Sequence, residues 1–165
     1  MQNTNKIIKS FIIFGTAVLF LAGCSGIKTY RNSSPENVHI TTSAKEDWLM
    51  YRLSVELNIY SVSDRCAREY EGTRVINEPK NDIALPTDKL SYLEFIYVKY
   101  PVLGGTRYIT KHGTLFRARP GMTYGIDVNY NSGIYDVYIT EQNPVNGKTS
   151  PVPFVSMARC HQSLM

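Results

Sequence analysis

Apolar and polar side chains alternate with a period of two through much of the chain after residue 50. In Leu53-Ser54-Val55-Glu56-Leu57-Asn58-Ile59 every second residue is apolar, which predicts a strand with one buried face. Tyr124, Ile126, Val128 and Tyr130 alternate with Gly125, Asp127 and Asn129. Asn131-Ser132-Gly133 then turns the chain into Ile134 to Thr140, so a β-hairpin is predicted there. The run SYLEFIYVKY, residues 91–100, is almost continuously β-forming and predicts a central strand covered on both faces.

Shorter signals fill the gaps. Tyr70 to Asn77 and Ile83 to Leu85 read as extended pieces. Thr106 to Lys111 and Thr114 to Ala118 flank His112-Gly113 and predict a second hairpin with a tight turn. Val152 to Met157 predicts a terminal strand, held at an edge by Pro153. Ser43-Ala44-Lys45-Glu46 has the spacing of a capping box, so either a short helical turn to Met50 or a bend is expected. No long amphipathic helix is predicted. Seven or eight short strands spaced by turns imply an all-β chain, an antiparallel two-sheet β-sandwich of transthyretin-like or immunoglobulin-like type, with a small closed barrel as the alternative.

The first residues follow another pattern. Lys6 and Lys9 precede an uncharged, mostly apolar run from Phe11 to Ala22, which is too short for a comfortable membrane span and suits the core of an export signal. The run ends in Leu21-Ala22-Gly23-Cys24, which resembles the lipobox of bacterial lipoproteins. That resemblance implies that residues 1–23 are removed as a signal peptide. It implies that Cys24 becomes the first residue of the mature chain, carrying a thioether-linked diacylglyceryl group and an N-acyl chain such as palmitate. Ser25, which is not Asp, implies sorting to the outer membrane in the same family, with the periplasmic face as the expected site. Two or three acyl chains anchor a protein stably where one is marginal.

Loss of the leader changes the charge. The full chain carries 18 basic and 14 acidic residues, a net +4. Without Lys6 and Lys9 the balance is +2, too weak and too scattered to imply a nucleic-acid partner. Residues 24–42 are mostly polar and read as the lipidated N-terminus and a tether, with residues 43–165 forming the β-sandwich domain. Cys66 and Cys160 remain beside the lipidated cysteine. In an oxidising compartment an even pair predicts one disulfide, with two free thiols or a metal pair including His161 as alternatives.

Twelve tyrosines, all after the leader, are the unusual feature of the composition. They suit pleated strands, and they also suit a binding face, because a tyrosine offers a rigid ring with a polar tip. Tyr124, Tyr130 and Tyr135, with Arg117 and Arg119, are the candidate interaction surface. No Gly-x-Ser-x-Gly elbow and no phosphate loop occurs, so no catalytic residue, metal ligand or cofactor site is assigned. The plan of lipobox, tether and sandwich, with the strand–Pro-Gly–strand segment Phe116 to Tyr124, faintly resembles envelope accessory lipoproteins such as the outer-membrane lipoprotein of type VI secretion systems. That resemblance implies a transthyretin-like sandwich that binds an envelope protein partner through its loops. The expected function is a non-enzymatic protein-interaction or structural module of an envelope or secretion assembly. A small-ligand or glycan-binding module is the alternative, and a hydrolase with a loop-built site a more distant one.

Overall fold

The computed structural model describes residues 27–45, 50–131 and 134–163. The leader, Cys24, residues 46–49 of the expected helical turn and residues 132–133 of the expected β-turn lie outside the described residues. Among the described residues there are nine strands, against the seven or eight expected: β1 Val38–Lys45, β2 Tyr51–Val62, β3 Arg68–Val75, β4 Lys80–Ile83, β5 Leu90–Pro101, β6 Tyr108–Arg117, β7 Thr123–Asn131, β8 Ile134–Gln142 and β9 Thr149–Pro151. They form a five-stranded sheet of order β4-β1-β7-β8-β9 and a four-stranded sheet of order β3-β2-β5-β6. The two sheets pack as an all-β sandwich.

The alternation read from the sequence is what builds the core. Val55, Leu57 and Ile59 of β2 point inward with Leu93, Phe95 and Tyr97 of β5. Val38 and Ile40 of β1, and Tyr124, Ile126, Val128 and Tyr130 of β7, meet them from the other sheet. Strand β5 is covered on both faces as expected: Ile96 and Val98 point outward yet are also buried, in register between Glu56 and Lys111 and between Ser54 and Ile109.

Several expectations need correction. The sandwich is not wholly antiparallel, because β1 runs parallel to β7 from Val38↔Tyr124 to Lys45↔Asn131. The 24–42 segment is not a tether throughout. The amide of Thr73 donates to the Lys28 carbonyl at 2.8 Å, and the amide of Tyr30 donates to the Thr73 carbonyl at 3.0 Å. The Tyr30 ring is buried in the core and its hydroxyl donates to the Ala84 carbonyl at 2.8 Å. Burial holds the Tyr30 phenol above its usual pKa range. Val38 and Ile40 then enter the interior, and Ser43, the expected cap, lies in β1.

His112-Gly113 is not a turn. Strand β6 runs straight through it. Gly113 is needed there because the Tyr92 phenol lies over its α-carbon, and a Cβ at this position would run into the ring. The segment after β9 is not a strand either. It crosses between sheets: the Val152 amide donates to the Ile139 carbonyl, and the Leu115 amide donates to the Val155 carbonyl, both at 2.8 Å. The chain then closes with a 3-10 turn, Met157–Arg159, and a one-turn helix, Cys160–Ser163.

That C-terminal segment packs over a second apolar cluster. Cys160 is buried with Leu90 and Leu115, beside Val62, Tyr92, Val155 and Met157. Cys160 is bonded to Cys66, with Cα atoms 5.9 Å apart. Cys66 sits in the β2–β3 turn with φ 60°, where its amide donates to the Ser63 carbonyl at 2.8 Å. The bridge therefore ties an early hairpin to the end of the chain, across a separation of 94 residues. Replacing both cysteines with serine is expected to cost about 2–5 kcal/mol, as loss of a long-loop bridge does. Denaturant midpoints of the oxidised protein and the double variant measure it, and equal midpoints contradict it.

Candidate interaction surfaces

The sandwich has two different ends. At one, the disulfide is joined by a polar corner. Tyr124 opens β7 on its core face, and its hydroxyl accepts from the Arg119 amide, five residues upstream, at 2.8 Å. This is the arrangement of a tyrosine corner, which fixes the entry of a strand into a sandwich. The same hydroxyl donates to Glu141 Oε2 at 2.8 Å, and Arg119 Nε donates to that oxygen at 2.7 Å. Arg119 also pairs through its terminal nitrogen with Glu141 Oε1, so the grip is bidentate.

Glu141 is a buried carboxylate because it continues the inward series of β8 after Tyr135, Val137 and Ile139. The Arg119 hydrogen bonds, opposed by burial and aided by the Tyr124 hydroxyl, hold its carboxyl below the usual range. Burial likewise raises the Tyr124 phenol. This corner is a structural device that seals the core beside Phe116, whose ring meets Tyr124 edge-on at 4.9 Å.

The opposite end is closed by aromatic rings. Tyr97 of β5 and Tyr130 of β7 each lie 4.7 Å from Tyr135 of β8, centroid to centroid. Lys99 continues the inward face of β5, and its ammonium sits 4.0 Å from the centre of the Tyr51 ring and 3.4 Å from the Tyr130 hydroxyl. A cation between rings lets a charged side chain end the core without losing all its partners. Burial, reinforced by Asp136, holds the Tyr97 phenol far above its ordinary range.

Beyond this plug the same end presents apolar side chains to solvent. Leu103 at the β5–β6 tip is 90% exposed, with Val102, Tyr108 and Ile109 beside it. Ile134 at the start of β8 is 71% exposed, and Met50 precedes β2. The Val102 amide donates to the Met50 carbonyl at 2.9 Å, which joins the start of β2 to the β5–β6 tip. Ile109 and Ile134 lie on the outer faces of opposite sheets, so the exposed apolar groups ring this end around the Leu103 tip, and apolar groups concentrated at one end mark docking sites better than scattered ones.

The outer face of the β3-β2-β5-β6 sheet is a third surface. Tyr60 lies 5.5 Å from Tyr70 and 5.9 Å from Tyr92, and the Arg68 guanidinium covers Tyr60 and Tyr92 at 5.4 and 4.9 Å. Glu94 accepts from Asn58 Nδ2 at 3.2 Å and from the Tyr60 hydroxyl at 3.4 Å, with Lys111 Nζ 3.8 Å away.

The five residues expected to form one surface do not. Tyr124 and Tyr130 are core side chains, 1% and 2% exposed, because they lie on the inward face of β7. Tyr135 is half-buried against them. Arg117 and Arg119 are exposed, but they sit at the disulfide end, about 20 Å along β7 from Tyr130 at strand rise. Leu103, Ile134 and the Tyr60–Tyr92 face went unread, because single exposed apolar residues and outward tyrosines carry no distinct pattern. Gly104-Gly105 was the one signal of that tip. Among the described residues no three His, Cys, Asp or Glu side chains gather as a metal site. No protein family, curated protein or solved structure matches the chain.

The polar corner makes a pH prediction. A carboxyl depressed in the folded state contributes stability above its unfolded value, about 4.3, and loses it as pH falls through the folded value. The native protein is therefore expected to weaken below about pH 4. Glu141→Ala is expected to cost about 1–3 kcal/mol at neutral pH, because the buried Tyr124 hydroxyl proton loses its acceptor, and to show a flatter acid limb. Thermal midpoints across pH measure both effects, and parallel acid limbs contradict the assignment.

Proposed function

We propose that this protein is a lipid-anchored module of the bacterial envelope that docks a partner protein and performs no catalysis. The single observation that carries the docking reading is that exposed apolar side chains, Leu103 of the β5–β6 tip and Ile134 at the start of β8 foremost, recur at one end of the sandwich, where a backbone hydrogen bond ties Val102 to Met50. Hairpin tips on a rigid sandwich place such side chains where a partner's groove can receive them. The Cys66–Cys160 bridge supports export, since disulfides persist in oxidising compartments. The Leu21-Ala22-Gly23-Cys24 sequence supports anchoring through Cys24, and Ser25 supports the outer membrane with the domain on the periplasmic side.

A glycan-binding reading has one observation in its favour, the Tyr60–Tyr70–Tyr92 row beside Asn58 and Glu94. Arg68 already occupies the faces of Tyr60 and Tyr92 that a sugar ring would stack on, which favours the protein partner.

The test is a Leu103→Asp, Ile134→Asp double variant, both changes at exposed sites. Surface changes of this kind move stability by about 0.5 kcal/mol or less. Charges placed in an apolar contact are expected to weaken partner crosslinking in intact envelopes roughly 10- to 100-fold. An undiminished crosslinked species contradicts the docking reading.

A further inference from the structure

The folded part of this chain begins almost at the anchor. Thr73 and Lys28 share a hydrogen bond, and Tyr30 is locked into the core. Three residues separate Cys24 from Lys28, and the four extended steps between their α-carbons reach at most about 14 Å. A free tether spanning residues 24–42 would instead reach roughly 60 Å. The headgroup layer on each side of a bilayer is itself about 5–8 Å deep. An acylated Cys24 therefore leaves no more than about one sandwich thickness, about 10 Å, between the membrane surface and β3.

We propose that the β3 edge of the sandwich is a membrane-contact face, whose partner is the phospholipid headgroup surface that holds the acyl chains. This inference rests on the reading of Cys24 as the lipidated residue. The occupant is set by where the chain leaves the fold. Ile27, 70% exposed, and Val75, 57% exposed, flank an open depression of about 600 Å3 that Arg74, Glu56 and Glu78 also line, so charges of both signs border it. Lys28 lies beside Glu71 at 3.9 Å with most of its side chain in solvent. Apolar side chains beside charges of both signs suit a zwitterionic headgroup layer, where carboxylates meet ammonium groups, basic groups meet phosphates, and long stems bury while their charges stay wet. Gly72 holds the geometry: with φ 149°, it brings the chain against Tyr30, whose backbone would lie 2.6 Å from a Cβ there.

The opposite edge is then turned away from the bilayer. The β8–β9 loop, with Val145 93% exposed, lies three to four strand spacings from β4 across its sheet, about 15–20 Å. The orientation leaves the apolar hairpin end free to meet a partner beside the membrane.

The experiment uses the full chain, processed in a lipidating bacterial host and reconstituted into phosphatidylethanolamine–phosphatidylglycerol vesicles containing headgroup-nitroxide lipid. Trp48 is the only tryptophan, so a Trp48→Phe background carries one probe, Val75→Trp or Val145→Trp, and leaves the disulfide untouched. Mass spectrometry first establishes acylation of Cys24. The Val75→Trp probe is expected to be quenched several-fold more than the Val145→Trp probe. A Gly-Ser linker inserted after Gly26 is expected to bring the two to the same level. Acylated, vesicle-bound protein with equal quenching of both probes before the linker is added overturns the membrane-contact face while leaving the anchor standing. A native chain that keeps its leader or carries no acyl group on Cys24 overturns the anchor, and the contact face with it.

Discussion

Two backbone hydrogen bonds across Thr73 organise one whole side of this protein. Lys28 and Tyr30 add a short parallel piece to the edge of β3, and only glycine at position 72 lets the two chains approach so closely. Tyr30 then reaches across to Ala84, beyond the end of β4. One side chain thereby joins the edge of the four-stranded sheet to the edge of the five-stranded one. An open sandwich edge exposes unpaired backbone groups and a slit into the core. Here the N-terminal segment meets both needs, and the same contact dictates how far the fold can stand from Cys24.

The other closures follow the same logic with different chemistry. At one end the disulfide and the Arg119–Glu141–Tyr124 corner seal the core. At the other, Tyr97, Tyr130, Tyr135 and Lys99 do so. Tyrosine is frequent because each of these positions needs a large apolar body with a polar tip near a sheet rim. Tyr124 and Tyr130 belong to the architecture, and the groups left exposed for contact are aliphatic side chains at the hairpin tips.

The strands that carry the core were legible from residue pattern. Strands β2, β5, β7 and β8 follow their alternation or continuous β-forming runs, because burial on one face or both imposes those patterns. The Cys66–Cys160 bridge was legible from counting. Strand β1 was not, since Val38 and Ile40 give only two apolar steps inside a polar stretch, and its parallel partner β7 lies some 86 residues away. Gly113 looked like a turn because the residue that requires it, Tyr92, sits on a neighbouring strand. The candidate surface failed for a related reason. The alternation that placed Tyr124 and Tyr130 on one face of β7 does not say whether that face looks inward, and here it does. Exposure at Leu103 and Ile134 is a property of the assembled end and has no signature in either hairpin alone.

Residues 28–30 are part of the fold rather than a tether. Native-state hydrogen exchange of the Tyr30 amide tests it most directly, because that proton is donated to the Thr73 carbonyl. Exchange is expected to be slowed to near the rate of global unfolding, matching the core amides of β2 and β5. Exchange at the rate of an unstructured peptide would contradict it.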